Sequence, residues 1–333
     1  MRRSNPLKGQ IIFVTHGGRW GGTIAIESLC YELQKMGVKA RLFYNHGLSE
    51  PYRPLLTKWY VYWTKWIIYF FKWHFYKCLI RIMPEKRLTI RMQVWKNKVI
   101  PNVPGVRISF SPFFRKKNTI VVYPEKYYGN VLKARYVVRW LLYFYPYSDI
   151  KQAYDDSDLF ICYRLLFNDW QLNPKGYQVC SHYFNKDLYY RYNWGVRQGN
   201  CYIIHKGKIR QDLPKFFDGP VVDNLSEEDK VKVFNQCEYC YSYDTHTYYS
   251  KIAAICGCKS IVVMEPGKTK EDYLEKGRRK LGVAYGFSED SIKQAQHEYD
   301  DLMKSVDYTE SNQYYANQFL KILQEEFSIN LKY

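Results

Sequence analysis

Apolar positions along the chain come in short runs that alternate with stretches of helical spacing. Residues 10–15 (QIIFVT) form an apolar run of strand length. Over 23–36, Ile24, Ile26, Leu29, Leu33 and Met36 recur at helical spacing; Gly37 closes the pattern and 38–44 (VKARLFY) reads as the next strand. This β-α-β unit carries His16-Gly17-Gly18-Arg19-Trp20-Gly21-Gly22 at the carboxyl end of its first strand, where open α/β sheets bind ligands. A Pro-punctuated stretch at 101–112 follows. Beyond it the pattern predicts a strand at 119–123 (TIVVY), a helix at 131–143 and a strand at 159–163 (LFICY). A second series starts near Asn200. It comprises a strand at 201–205, a Lys206-Gly207-Lys208 turn, a strand-like 219–222, a helix at 227–236, a strand at 239–243 and a helix at 248–256. Strands at 260–264 and 281–285 and helices near 288–305 and 311–327 complete it. Strands alternating with helices in both halves predict an α/β fold of two Rossmann-like, doubly wound domains. Their expected extents are 1–195 and 196–333, with the seam inside 185–200 and a last helix long enough to pack back on the first domain.

The length of 333 residues suits two domains, and 47% apolar with 25% charged residues is a globular composition. Charge adds an asymmetry. Residues 1–150 hold 26 Lys/Arg against 6 Asp/Glu, whereas 151–333 hold 24 against 26. One half is thus expected to face something anionic. Much of the basic charge lies in a 48–100 insert, whose core, WYVYWTKWIIYFFKWHFYKCLIRIM (59–83), is too often interrupted by Lys and Arg to span a bilayer. Lys58, Lys65 and Lys72 are seven apart and share one helical stripe, with Trp59, Trp63 and Trp66 among the rings beside it. Such a helix suits the plane of an anionic membrane, rings among the headgroups and lysines on phosphates; a core helix with snorkelling lysines is the bland alternative.

The nine cysteines are odd in number and sit mostly in apolar segments, which speaks against a secreted disulfide framework. The first ten residues are polar and basic and the apolar run after them is too short for a signal sequence, so a cytoplasmic setting is expected. Cys237-x2-Cys240 and Cys256-x-Cys258 suggest zinc only superficially, because strand alternation would not aim them at one point; no metal is expected. Asp156-Ser157-Asp158 precedes a strand rather than following one and reads as solvated loop carboxylates. In the segment Ser242-Tyr243-Asp244-Thr245-His246-Thr247, between a strand and a helix, free backbone N–H groups and the Thr245 and Thr247 hydroxyls suit an anion, while N-capping by Asp244 or Thr245 is the simpler reading. Gly17 and Gly18 allow a close ligand approach, but the turn is not GxGxxG.

Three segments resemble GT-B fold glycosyltransferases of bacterial surface-polysaccharide assembly: HGGRWGGTIAIESLCYELQKMGVKARLFY, VVYPEKYYGNVLKARYVVRWLLY and CEYCYSYDTHTYYSKIAAICGCKSIVV, followed by the late LGVAYGF. The resemblance covers most of the chain outside 48–100 and implies two Rossmann-like domains facing a cleft, the first for the acceptor and the second for the donor. It implies that Lys206 and Arg210 neutralise the leaving diphosphate, that Asp244 accepts from ribose hydroxyls, and that Thr245, Thr247, Gly17 and Gly18 belong to the donor site. His16 is then positioned as a general base, with Glu125 the rival base, whose alternative is a surface carboxylate paired with Arg135 or Arg139. The implied partners are a nucleotide-diphosphate sugar, a lipid-linked glycan acceptor and the inner face of the cytoplasmic membrane. No cofactor is required, magnesium being compatible but not implied, and no nucleic acid is expected. Two other classes remain open at this point: a basic, aromatic nucleic-acid binder without catalysis, and a nucleotide-sugar modifying enzyme.

Overall fold

A computed structural model describes residues 10–15, 18, 21–44, 101–109, 119–127, 129–130, 132–143, 154–245, 247–273 and 280–327, with isolated helical positions between 67 and 82. It is an α/β structure with two sheets, each wholly parallel among the described residues. The chain divides into two compact units, the first holding 1–183 and 308–333, the second 184–307.

In the first unit, strands β1 (Gln10–Thr15), β2 (Ala40–Tyr44), β3 (Ile108–Ser109), β4 (Thr119–Pro124), β5 (Tyr136–Leu141) and β6 (Leu159–Cys162) lie in the order β3-β2-β1-β4-β5-β6. This is the doubly wound, Rossmann-like order, whose reversal point falls between β1 and β4. Helix α1 (Gly21–Lys35) follows β1 and buries Ile26, Leu29, Cys30 and Leu33 against the sheet. The C-terminal helix, Thr309–Phe327, packs on the same layer: Phe319 lies 6.0 Å from Phe13, and Asn312 bonds both backbone groups of His182.

The predicted helix over 131–143 is instead largely strand β5, paired with β4 and β6. A central parallel strand is buried on both faces, so its apolar run lacks the alternation that marks a half-exposed strand. Arg139, named above as a partner for a surface Glu125, is buried within this strand. Its guanidinium pairs with Asp158 at 2.7 Å and donates to the carbonyls of Tyr127 and Gly129 at 2.9 Å. Asp158 is accordingly an internal ion-pair member rather than a solvated loop carboxylate, and Arg139 is not Glu125's counterion.

In the second unit, β7 (Asn200–Ile203), β8 (Tyr239–Ser242), β9 (Lys259–Val262) and β10 (Val283–Tyr285) form a sheet in the order β10-β9-β8-β7. Helix α2 (Glu227–Gln236) is capped by Ser226, whose hydroxyl accepts the Asp229 N–H. The short α3 (Tyr249–Ile255), α4 (Glu289–His297) and α5 (Tyr299–Lys304) complete the unit; the C-terminal helix is α6. All nine cysteines are free thiols, eight of them buried. Cys201, Cys237, Cys240, Cys256 and Cys258 gather in one apolar cluster under α2 and α3, contrary to the expectation that alternation disperses them.

Candidate functional site

The carboxyl edge of the second sheet is organised by two aspartates. β7 runs into a single 3-10 turn, His205–Ile209. The Asp223 carboxylate accepts the backbone N–H of Ile204 at 3.2 Å and of His205 at 2.7 Å. These bonds hold His205 at φ 27°, a value non-glycine residues rarely adopt. Gly207 lets the turn lie against the end of β8, since a Cβ there would fall 2.5 Å from the Tyr243 carbonyl oxygen. Asp244, just past β8 and only 3% exposed, accepts from His205 Nδ1 at 3.2 Å and from the Lys206 N–H at 3.4 Å. An ionised carboxylate only accepts, so the imidazole carries its proton on Nδ1 and leaves Nε2 without a partner among the described residues. His205 is 63% exposed, and the neighbouring Lys206 and Lys208 ammonium groups are exposed and unpaired among the described residues.

Three expected donor-site residues take different places. The Arg210 side chain is 6% exposed on a half-buried residue, and its five N–H groups meet five acceptors: both Asp212 carboxylate oxygens and the carbonyls of Tyr243, Val263 and Met264. It ties the ends of β8 and β9 together and has no donor left for a diphosphate. Asp244 is spent beneath the His205–Ile209 turn rather than opened to a ribose. The loop at 244–248 is partly self-satisfied, with Thr247 N–H on the Asp244 carbonyl and Tyr249 N–H on the Thr247 hydroxyl. The N-cap of α3 is Tyr248, whose side chain makes no capping bond. The Lys280 ammonium crosses this loop, bonding the carbonyls of Thr245 at 3.2 Å and Thr247 at 2.9 Å.

The first sheet carries its ionisable groups differently. Glu27, on α1, is fully buried, and its carboxylate accepts from the N–H groups of Asn102 (2.5 Å) and Val103 (3.1 Å) and from the Tyr44 hydroxyl (3.3 Å). Asn102 in turn donates to the Gly18 carbonyl at 3.0 Å, so the network reaches the glycine-rich turn. Burial pushes the Glu27 carboxyl up to about 7, against the pull of its N–H donors. Glu125, just past β4 at the reversal point, is 7% exposed and accepts the Leu142 N–H at 3.0 Å. Burial raises its pKa above the ordinary carboxyl range. Glu125 is thus no surface carboxylate; it is a desolvated carboxyl at the edge where such sheets bind ligands.

His16 and Gly17 lie outside the described residues, as do Lys58, Lys65, Trp59, Trp63 and Trp66. Lys72 is described, helical and exposed, beside exposed Phe71 and Phe75. Sequence reasoning missed His205, Asp223, Lys280 and Glu27. Of these, His205 directly before the Lys-Gly-Lys turn and Glu27 on the apolar stripe of α1 left a readable trace. Among the described residues no group of three or more His, Cys, Asp or Glu is arranged to hold a metal ion, and no helix is long and apolar enough to cross a membrane. Comparison with models of protein families finds no match for the chain, and comparison with the curated proteins finds none.

Proposed function

We propose that the chain is a glycosyltransferase that moves a sugar from a nucleotide-diphosphate donor to a hydroxyl of a lipid-linked glycan acceptor. The observation that carries this reading is the cationic carboxyl edge of the second sheet. There His205, Lys206 and Lys208 stand exposed on a turn fixed by Asp223 and Asp244, at the edge where open parallel sheets bind ligands. In the reaction, the acceptor oxygen bonds to the anomeric carbon while the carbon–oxygen bond to the diphosphate breaks, its electron pair leaving on the diphosphate. The Lys206 and Lys208 ammonium groups would stabilise that developing charge. The acceptor proton would pass to a base on the first unit, Glu125 or His16. A carboxyl whose pKa is raised by burial is closer to the working pH than an ordinary one, which favours Glu125 for proton transfer. The basic, aromatic 48–100 insert would hold the enzyme on the inner face of the cytoplasmic membrane beside a lipid-linked acceptor.

A thermal-shift screen with UDP, GDP, CDP, dTDP and NAD, with and without magnesium, tests the reading, because a ligand that binds only the native state raises the melting temperature. One nucleoside diphosphate should stabilise the protein. Stabilisation by NAD or an oligonucleotide alone would contradict it.

A further inference from the structure

The opposite, amino-terminal edge of the second sheet holds a cavity of about 350 Å³ between the starts of β8 to β10 and helices α4 and α5. Its charged lining is unbalanced. Glu238 is neutralised by Lys259 at 2.7 Å. Arg191 and Arg197 remain, and neither meets a carboxylate among the described residues. Arg197 spends Nη1 on the Phe234 carbonyl and Nη2 on those of Asn193 and Cys256, while its Nε is buried without a partner among the described residues. Arg191 stacks 4.1 Å over the Trp194 ring and donates from Nε to the Asn193 carbonyl. Both lie against Gly257, where φ is 99° and a Cβ would stand 2.5 Å from Arg197 Nη2 and 3.0 Å from Arg191 Cδ. Burial holds the Arg197 guanidinium below its ordinary range, and the like charge of Arg191 adds to that pull. In the same wall, the Ser260 hydroxyl is buried with no hydrogen-bond partner among the described residues. Two adjacent guanidinium groups, a hydroxyl and an N–H without partners among the described residues are what a bound oxyanion would satisfy.

We propose that this cavity is a second ligand site, built for a small phosphate monoester. A monoester carries close to two negative charges near neutral pH and so balances both arginines, whereas a single carboxylate leaves one uncompensated. The cavity exceeds a bare phosphate in size, and its walls beyond the arginines include Val196, Ile292 and Leu302, leaving room for a compact organic group. The site lies at the other end of the strands from Lys206 and stands whether or not that edge binds a nucleotide.

The test is calorimetric titration and thermal shift with inorganic phosphate and glycerol 3-phosphate, against sodium chloride at matched ionic strength and against glycerol. Both phosphates should stabilise the wild type and Lys206→Ala alike, with glycerol 3-phosphate the tighter. Arg191→Gln, at a half-exposed position, should weaken binding at least tenfold. If that variant lacks a cooperative transition, Ser260→Ala, which removes a hydroxyl that bonds nothing, should weaken binding severalfold instead. Stabilisation no greater than that of salt, affinity unchanged in these variants, or loss of binding in Lys206→Ala instead would each overturn the proposal.

Discussion

At the carboxyl edge of the first sheet the ionisable groups are carboxyls driven under the surface, Glu27 completely and Glu125 nearly so. At the same edge of the second sheet the Lys206 and Lys208 ammonium groups are left in solvent, on a turn tethered from below by Asp223 and Asp244. Both sheets are parallel, so the difference lies in what each loop does with its charge. Desolvation in the first unit favours the protonated carboxyl. In the second unit Asp244, buried, and Asp223, half-buried, spend their charge on backbone N–H groups and one imidazole, which fixes the turn in place without neutralising the lysines. One edge is suited to moving a proton, the other to meeting an anion.

Removing the frame under the first edge should have the largest effect. Asp158→Ala leaves the buried Arg139 guanidinium without its carboxylate, both side chains being 1–2% exposed in the pair; a loss of about 3–5 kcal/mol in denaturant unfolding is expected. Next is the pH signature of Glu27. Its folded pKa of about 7 exceeds the ordinary carboxyl value of 4.5, so the native state keeps a proton that the unfolded chain releases across that interval. Wild-type stability should therefore fall, by up to about 3 kcal/mol, as pH rises from about 4.5 to 7. Glu27→Gln should flatten that slope, and an unchanged slope would assign it elsewhere. In the second unit, Gly207→Ala must push the 3-10 turn off the Tyr243 carbonyl, costing roughly 1–3 kcal/mol and displacing His205 and Lys206 together. The smallest effect is expected at Lys72, exposed on the insert. Reversing its charge with Lys72→Glu should weaken cosedimentation with phosphatidylserine vesicles severalfold, since one basic residue near such a surface contributes about 1 kcal/mol.

Much of this architecture is legible in the residues. The first β-α-β unit, the strand at Thr119–Pro124 and the elements from Asn200 onward follow from run length, helical spacing and Gly stops. Strand β5 was not legible, because YVVRWL, buried on both faces, places Val, Arg and Trp where a helix would also accept them. The chemistry was harder to read, since pairing across long sequence distance decides it. Nothing local says that Arg210 reaches the ends of two strands, that Asp244 turns under His205, or that Asp158 meets Arg139 inside the first sheet. Conversely, the sequence leaves Glu125 open between a general base and a surface carboxylate, and both Glu27 and Glu125 acquire their raised pKa values from burial.

The most direct measurement is the affinity of the stabilising nucleoside diphosphate for wild type and for Lys206→Ala, by calorimetric titration. Lys206 is exposed, so its removal should leave folding unchanged while losing one charge-assisted phosphate contact, a roughly 10- to 100-fold weakening. Equal affinity in the two proteins, or no nucleoside diphosphate binding at all, would contradict the assignment of the donor to the second sheet's carboxyl edge.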